Sequence, residues 1–158
     1  MQDTLKKATF GAGCFWHIEE EFKKLTGVMS TSVGFMGGDF KNPSYKDVCT
    51  GATGHAEVVH FEYDTKIISY EKLLEVFWNI HDPTTLNKQG PDIGTQYRSI
   101  IFFHNEEQEK TANASKIKLE KSGKFKNKIV TEIKPAQDFY KAEEYHQQYF
   151  EKQKKCGI

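Results

Sequence analysis

The stretch Lys6-Lys7-Ala8-Thr9-Phe10-Gly11-Ala12-Gly13-Cys14-Phe15-Trp16 predicts a strand, a tight turn and the beginning of a helix. The strand is expected over Lys6–Gly11, and the two glycines around Ala12 mark the turn. The helix is expected to begin at about Cys14 and to end before Gly27. Its apolar residues recur at helical spacing: Phe15, Ile18, Phe22 and Leu25. The sequence therefore places a cysteine in the first turn of a helix that follows a strand.

The rest of the chain alternates between strand and helix patterns. Strands are expected over Val28–Phe35, Ala56–Tyr63, Gln96–Phe103 and Lys128–Ile133, and helices over Ser69–Ile80 and Glu106–Ser122. Loops are expected over Met36–Gly54 and His81–Gly94, and a polar, partly helical tail over Phe139–Lys154.

The first six elements follow the order β-α-β-β-α-β. This order is typical of an α+β, two-layer sandwich with a ferredoxin-like core, in which helices pack on one face of a mixed sheet. Long loops and a coil-rich C-terminal tail complete the predicted fold. Because no repeat and no Pro/Gly/Ser-rich linker divides the chain, residues 1–158 are expected to form a single domain.

Composition excludes several classes of protein. The 22 basic and 22 acidic residues of this 158-residue chain balance, which argues against a general nucleic-acid binder. The purely apolar run Ile100–Phe103 is too short to span a bilayer, and Met1–Ala8 has no apolar signal-peptide core. We therefore expect a cytoplasmic chain that does not associate with membranes.

Cys14 is the first candidate for chemistry. A cysteine at the first turn of a helix faces unpaired backbone N–H groups and the positive end of the helix dipole. Both favour the anion, so the pattern predicts a lowered thiol pKa and a nucleophilic thiolate. Phe15 and Trp16 would form an apolar wall beside the sulfur, and Trp16 also excludes a dinucleotide-binding glycine loop. The alternative interpretation is a core cysteine flanked by two core aromatic residues.

Glu57 is the second candidate. With the two-residue period of a strand, its apolar face contains Val59, Phe61 and Tyr63, and the opposite, more polar face contains His60 and Glu62 with Ala56 and Val58. Burial among apolar groups raises the pKa of a carboxyl, so Glu57 is predicted to act as a neutral general acid near pH 7. The alternative is a carboxylate at a strand end that points into solvent.

Three further polar side chains lie in or beside the long loops. They are Tyr45 in Asn42-Pro43-Ser44-Tyr45, and Asp92 and Tyr97 in the segment 92–99. A phenol donates a hydrogen bond while its ring packs against carbon, which suits a polar group within an apolar pocket. A tyrosine at a strand edge is also commonly structural, so the loops alone do not decide between these roles.

The other two cysteines differ in their surroundings. Cys156 lies near the C-terminus after Lys154 and Lys155, and neighbouring ammonium groups lower a thiol pKa. Such a thiol suits a second cysteine that must reach a first one, although it is also consistent with an incidental surface cysteine. Cys49, in the central loop, has no helix end or basic neighbour in sequence and is predicted to be structural, with participation in thiol–disulfide exchange as the alternative.

No metal site or other cofactor is expected. Cys14-x-x-His17 is one possible pair of ligands, but the sequence contains no second pair with the spacing of a zinc site. His55 and His60 are five residues apart on a strand and would point to opposite faces.

Gly13-Cys14-Phe15-Trp16 resembles the signature of the peptide methionine sulfoxide reductase A family. The resemblance continues in order through nearly the whole chain from Phe10 to Ile158. Its further blocks are Gly34–Gly38, Asn42–Tyr45, Thr53–Val58, Phe77-Trp78, His81–Pro83, Asp92–Ser99 and His146–Tyr149. Any one tetrapeptide is weak, but the ordered set is specific to this family.

The resemblance implies a thioredoxin-dependent reductase of the S epimer of methionine sulfoxide, free or in proteins. Cys14 would attack the sulfoxide sulfur, and Glu57 would protonate the oxygen. Cys156 would resolve the resulting sulfenic acid as a disulfide. The remaining residues would bind substrate: Tyr45 and Tyr97 would hydrogen-bond the oxygen, and Asp92 would support the same polar cluster. Phe15 and Trp16 would hold the methyl group.

Two positions depart from the family pattern. Family members often have a second distal cysteine, but here the chain continues beyond Cys156 only with Gly157-Ile158. His17 follows the signature where a small residue is common. Two other functions remain open on the residues alone: a hydrolase or acyltransferase that uses Cys14 with a histidine, and a module that senses redox state or binds methionine without turnover.

Overall fold

The computed structural model describes residues 4–155. Its strands are β1 (Leu5–Ala12), β2 (Val28–Met36), β3 (Ala56–Asp64), β4 (Lys88–Gln89), β5 (Asp92–Ile93), β6 (Ser99–Phe103), β7 (Glu132–Pro135) and β8 (Tyr140–Lys141). Its α-helices are α1 (Phe15–Lys23), α2 (Tyr45–Cys49), α3 (Tyr70–Asn79), α4 (Glu106–Ser122) and α5 (Tyr149–Lys155). Short 3₁₀ helices span Thr95–Tyr97 and Glu144–His146.

Six strands form one sheet in the order β7-β6-β1-β3-β2-β8. The β6–β7 pair is parallel and the other pairs are antiparallel, so the sheet is mixed as expected. Strand β3 lies at its centre between β1 and β2. The register pairs Phe10 with Val59 and Phe35 with Glu57. The fold is therefore of the α+β class, with Glu57 on an interior strand.

Helices α1, α3 and α4 cover one face of this sheet. Apolar side chains of these helices and of the sheet meet in one core, which includes Phe10, Phe22, Phe61, Leu73, Leu74, Phe77, Ile101 and Ala112. The stacking of Phe10 on Phe22, with ring centroids 5.3 Å apart, joins β1 to α1. Because aromatic rings bury a large apolar area, this contact stabilises the helix whose first turn follows Cys14.

The opposite face of the sheet is less polar than the sequence suggested. Ala56 and Val58 of this face are fully buried with Met36, Ile100 and Phe102. The chain between β7 and β8 covers them through Ala136 and Phe139, and the Phe139 ring stacks on His60 at 4.6 Å. Alternation along β3 could not reveal this layer, because the covering segment lies about eighty residues further along the chain.

The predicted loops contain short regular elements. Within Met36–Gly54, α2 begins after Ser44, whose side chain forms a reciprocal capping box with Asp47. Within His81–Gly94, β4 and β5 form a two-stranded hairpin. Such elements are too short to show apolar periodicity, so the sequence pattern does not distinguish them from loops.

Two strand boundaries and the tail also differ from expectation. The strand predicted from Gln96 begins only at Ser99, because Thr95–Tyr97 forms a 3₁₀ turn. The strand expected over Lys128–Ile133 is observed at Glu132–Pro135. The predicted tail contains β8, a 3₁₀ turn and α5 and packs on β2 and α1.

Within residues 4–155, no helix has both the length and the apolar character needed to cross a membrane.

Candidate active site

The turn after β1 places Cys14 at the beginning of α1. Gly13 has a φ of +100°, and a Cβ atom there would lie 2.8 Å from the side chain of Gln89. Only glycine fits this position, because the hairpin β4–β5 packs closely against the turn. Cys14 is the N-cap residue of α1, which therefore begins where the sequence predicts, and Cys14 is half-buried.

The thiol of Cys14 does not have the lowered pKa that its position in sequence predicts. Its pKa is raised to about 11, mainly by burial and in addition by the nearby carboxyls of Glu57 and Asp92. The backbone N–H groups of Trp16 and His17 act on the thiol in the expected, lowering direction. The prediction of a resting thiolate is therefore wrong, because desolvation outweighs the partial charges of the helix N-terminus.

Glu57 lies beneath this turn, on the face predicted for it. Its side chain is 1% exposed, and its Oε1 atom accepts a hydrogen bond of 3.2 Å from the backbone N–H of Phe15. Burial, with a smaller contribution from Asp92, raises the pKa of Glu57 to about 8 against the lowering effect of that N–H. Its Oε2 atom has no hydrogen-bond partner within residues 4–155. A protonated carboxyl with one unused oxygen can donate a proton to a bound ligand.

Aromatic rings surround the segment that follows Cys14. Phe15 is fully buried, with its ring centroid 5.7 Å from Phe35 and 6.1 Å from Tyr45. Trp16 stacks on Tyr149 with centroids 3.8 Å apart and planes within 7°, and its Nε1–H donates to His146 Nδ1 at 2.9 Å. These rings form an aromatic cage, defined as Phe15, Trp16, Tyr45, His146 and Tyr149.

Sequence reasoning did not assign roles to two members of the cage, His146 and Tyr149. Both belong to a block that contributed only to the family resemblance. They lie about 130 residues after Trp16 and come next to it because the C-terminal segment folds back over α1. Periodicity carries no signal for such a contact, since it depends on long-range packing.

The other predicted polar residues share the electrostatic surroundings of Glu57. Burial, together with the carboxyls of Glu57 and Asp92, raises the pKa of Tyr97 to about 12. Burial also raises the pKa of Tyr45, whose hydroxyl hydrogen-bonds the Cys49 sulfur. The structure thus brings Cys14, Glu57 and these three polar residues into one region.

Cys49 lies closer to this region than its sequence context indicates. It is the last residue of α2, one helical turn after Tyr45, and its thiol is exposed. Burial and the carboxyls of Glu57 and Glu143 raise its pKa, whereas its hydrogen bond with Tyr45 lowers it. Cys156, the other predicted catalytic cysteine, lies outside the described residues.

An open groove of about 550 Å³ leads to Cys14 from the side of the hairpin β4–β5. Its lining includes His17 and Glu21 of α1 and Gln89, Pro91 and Asp92 of the hairpin. The ring of His17 also packs on Phe150, with centroids 4.9 Å apart. The groove shows that the sulfur is reachable from solvent and not sealed beneath the helix.

The raised pKa of Cys14 predicts slow alkylation at neutral pH. In a protein with Cys49→Ser and Cys156→Ser, we expect the rate of iodoacetamide modification to rise with pH up to about 11, because the thiolate is the nucleophile. The measurement is the pH dependence of the alkylation rate constant, followed by mass spectrometry. A plateau already reached near pH 7 would instead indicate a resting thiolate.

Comparison with known proteins agrees with this geometry. The family model described as peptide methionine sulfoxide reductase matches residues 6–158. The peptide methionine sulfoxide reductase MsrA of Methanothermobacter thermautotrophicus is 62% identical over 147 residues, which cover 93% of this chain and 87% of that protein.

Solved structures agree as well. Mxr1 from Saccharomyces cerevisiae in reduced form superposes with a TM-score of 0.87 at 41% identity, over 94% of this chain and 86% of that chain. Mxr1 in complex with Trx2 gives a TM-score of 0.65 at 28% identity, over 94% of this chain and 87% of that chain. With its cysteine at the helix start, its buried acid and its match along residues 6–158, the chain belongs to the peptide methionine sulfoxide reductase family.

Proposed function

We propose that this protein reduces the S epimer of methionine sulfoxide, free or in proteins, to methionine. The observation that carries the proposal is the buried carboxyl of Glu57, with a pKa of about 8 and an unused oxygen, in the same region as Cys14. A sulfoxide oxygen is a hydrogen-bond acceptor that becomes a better leaving group when it is protonated. The aromatic cage offers an apolar surface of the kind that suits the adjacent methyl group.

The chemical step begins with attack by Cys14 on the sulfoxide sulfur. At pH 7 Glu57 is neutral, so it can donate a proton to the sulfoxide oxygen as the sulfur–sulfur bond forms. With the proton from the Cys14 thiol, this oxygen leaves as water. Water then adds to the Cys14 sulfur, methionine departs, and Glu57 regains a proton. The net reaction converts a thiol and a sulfoxide into a sulfenic acid and a thioether.

The polar residues near Glu57 would direct this step. Tyr45 and Tyr97 remain protonated at neutral pH because burial raises the pKa of both phenols, so each can donate a hydrogen bond to the sulfoxide oxygen. Burial is the main cause of the raised pKa of Glu57, and the charge of Asp92 adds to it, which helps to keep that acid protonated. Phe15 and Trp16 would hold the methyl group.

The second half of the reaction restores the thiol. Cys156 would attack the sulfenic acid of Cys14, forming a disulfide and releasing water. A thioredoxin would then reduce this disulfide through its own pair of thiols. The fold similarity to Mxr1 solved in complex with Trx2 supports a reductant of this class.

The surroundings of Cys14 favour reduction over the hydrolase alternative. A cysteine hydrolase needs an imidazole within hydrogen-bond reach of the thiol. The side-chain charges that act on Cys14 instead come from two carboxyls, Glu57 and Asp92. Carboxyls raise a thiol pKa and donate protons, which suits a reaction whose leaving group is an oxygen.

The finer features of the fold are also part of the proposal. The order β6-β1-β3-β2, antiparallel throughout, supports a ferredoxin-like core that contains α1 and α3. One reductase domain over residues 1–158 is supported by the family match over residues 6–158. The unpaired thiols of Cys14 and Cys49 support a reducing compartment such as the cytoplasm.

The test uses separated S and R epimers of a methionine sulfoxide peptide with thioredoxin, its reductase and NADPH. We expect NADPH oxidation with the S epimer, one equivalent per sulfoxide reduced, and a rate at least about a hundredfold lower with the R epimer. Formation of methionine is followed by chromatography. Equal rates for the two epimers, or ester hydrolysis without reductant, would contradict the proposal.

A second arm of this experiment concerns Cys156. In Cys156→Ser we expect one equivalent of methionine for each enzyme molecule, followed by arrest, because the sulfenic acid has no resolving thiol. Dimedone labelling of Cys14 identifies that intermediate. Continued turnover with thioredoxin would show that Cys49 or the reductant resolves Cys14 directly.

A further inference from the structure

A second buried carboxyl lies on α1, five residues after Cys14. Glu19 is 1% exposed, and its two oxygens accept three hydrogen bonds. The donors are the Gln148 backbone N–H at 2.8 Å, the Gln148 side-chain amide at 2.9 Å and the Thr31 hydroxyl at 2.8 Å. Charge-assisted hydrogen bonds are stronger than neutral ones, so Glu19 is a firm attachment point between α1, β2 and the C-terminal segment.

The attachment is made at a turn with an unfavourable backbone conformation. Gln148 has a φ of +48°, in the left-handed region that non-glycine residues rarely adopt. The preceding residue, Gln147, is held by two hydrogen bonds with the backbone of Val33, at 2.8 and 2.9 Å. Such a conformation persists when surrounding contacts define it, and here two of those contacts come from Glu19.

The two cage residues His146 and Tyr149 lie on either side of this turn. His146 accepts the hydrogen bond of the Trp16 indole at 2.9 Å, and Tyr149 stacks on the Trp16 ring at 3.8 Å. The reversal of the chain at Gln148 therefore determines how closely both rings approach Trp16. Glu19 lies three residues after Trp16 on the same helix, so it fixes this distance from within α1.

We propose that Glu19 is a positioning residue that sets the width of the aromatic cage through Gln148, and that it thereby determines selectivity for a methyl sulfoxide. The proposal rests on the proposed function, since it assigns the cage to the methyl group. Glu19 acts only through the turn 146–149. Its loss widens the cage, which weakens the binding of a methyl group and admits a larger alkyl group.

The experiment compares the S epimers of methionine sulfoxide and ethionine sulfoxide, which differ by one methylene. One methylene in a well-formed pocket changes kcat/KM by roughly 10–200-fold. For Glu19→Gln and Glu19→Ala we expect kcat/KM for the methyl substrate to fall about tenfold, mainly through KM, because hydrogen bonds to the turn are lost. The preference for methyl over ethyl should fall at least about threefold.

Glu151→Gln is the matched control. Glu151 also joins the C-terminal segment to α1, through its ion pair with Lys23, and its loss changes the net charge by the same amount. It lies in α5, beyond the turn and outside the cage. We expect its methyl-to-ethyl ratio to stay within about twofold of the unsubstituted protein, because a partly exposed ion pair contributes little to the structure of the turn.

If the methyl-to-ethyl ratio is unchanged in Glu19→Gln, the proposal is overturned, even if turnover is slower or thermal stability is lower. Glu19 would then have only a structural role. If both Glu19 variants fail to fold, Thr31→Val removes one donor to Glu19 and should lower the ratio by a smaller factor; an unchanged ratio there overturns the proposal equally. If the unsubstituted protein reduces neither sulfoxide, the proposed function fails instead.

Discussion

Replacement of Cys14 by serine is expected to abolish methionine sulfoxide reduction, with a loss of at least about a thousandfold in kcat/KM. A hydroxyl cannot form the sulfur–sulfur bond, and serine has no sulfenic acid state that a second thiol could resolve. The thiol and the hydroxyl are close in size, so the packing around the start of α1 should be preserved. The measurement is NADPH oxidation in the thioredoxin-coupled assay, with the S epimer as substrate.

Cys49→Ser is the matched control for this prediction. Its thiol lies near Tyr45 and is influenced by the charge of Glu57, but it is exposed and lies at the end of α2. We expect its kcat/KM to stay within about threefold of the unsubstituted protein, because only one hydrogen bond to Tyr45 changes. Full turnover by Cys14→Ser, or complete loss of turnover in Cys49→Ser, would show that Cys14 is not the attacking cysteine.

Replacement of Glu57 by glutamine is expected to slow formation of the Cys14 sulfenic acid by about 10²–10⁴-fold. Glutamine keeps the shape of the side chain and an oxygen that can accept from the Phe15 N–H, but it has no proton to transfer. The ratio of the single-turnover rate of the unsubstituted protein to that of the variant should fall above about pH 8, because Glu57 loses its proton there while the Cys14 thiol titrates in both proteins. Rapid-quench measurements of both proteins across pH would detect this fall.

The same substitution should make the fold more stable at high pH. The pKa of Glu57 is about 8 when folded and near its usual 4.5 when unfolded, so the unfolded state releases the proton first. The stability that this carboxyl contributes is therefore complete below about pH 4.5 and is lost as the pH rises towards 8. Each unit of pKa difference corresponds to about 1.4 kcal/mol, which sets an upper limit of roughly 5 kcal/mol.

Urea unfolding at pH 9 and pH 5 checks this prediction. The gain in the free energy of unfolding from Glu57→Gln should be larger at pH 9 than at pH 5, where the native carboxyl is neutral. Glu62→Gln is a suitable control, since Glu62 lies on the same strand but on its opposite face. An equal effect of Glu57→Gln at both pH values would mean that burial does not perturb this carboxyl. A residue that costs stability yet is required for catalysis is expected at an active site.

The electrostatics of Cys14 illustrate the limit of reasoning from a local motif. The turn Gly11-Ala12-Gly13 and the spacing of Phe15, Ile18 and Phe22 correctly placed the cysteine at a helix start. The N–H groups that such a position supplies do lower the pKa, as expected. Their effect is smaller than that of burial, which depends on β3 and the hairpin β4–β5 packing against the turn. A local motif shows which partial charges lie near the thiol, but not how far tertiary packing removes water from around it.

By itself, the sequence determined the class of the fold, the helix that begins after Cys14 and the face of β3 on which Glu57 lies. These features follow from spacing over a few residues, which directly reflects helix and strand geometry. The tertiary structure alone decided the raised pKa of Cys14, the nearness of Cys49 and the closure of the aromatic cage by His146 and Tyr149. Each of these features depends on desolvation or on contacts between distant segments. Local periodicity in the sequence carries no information on either.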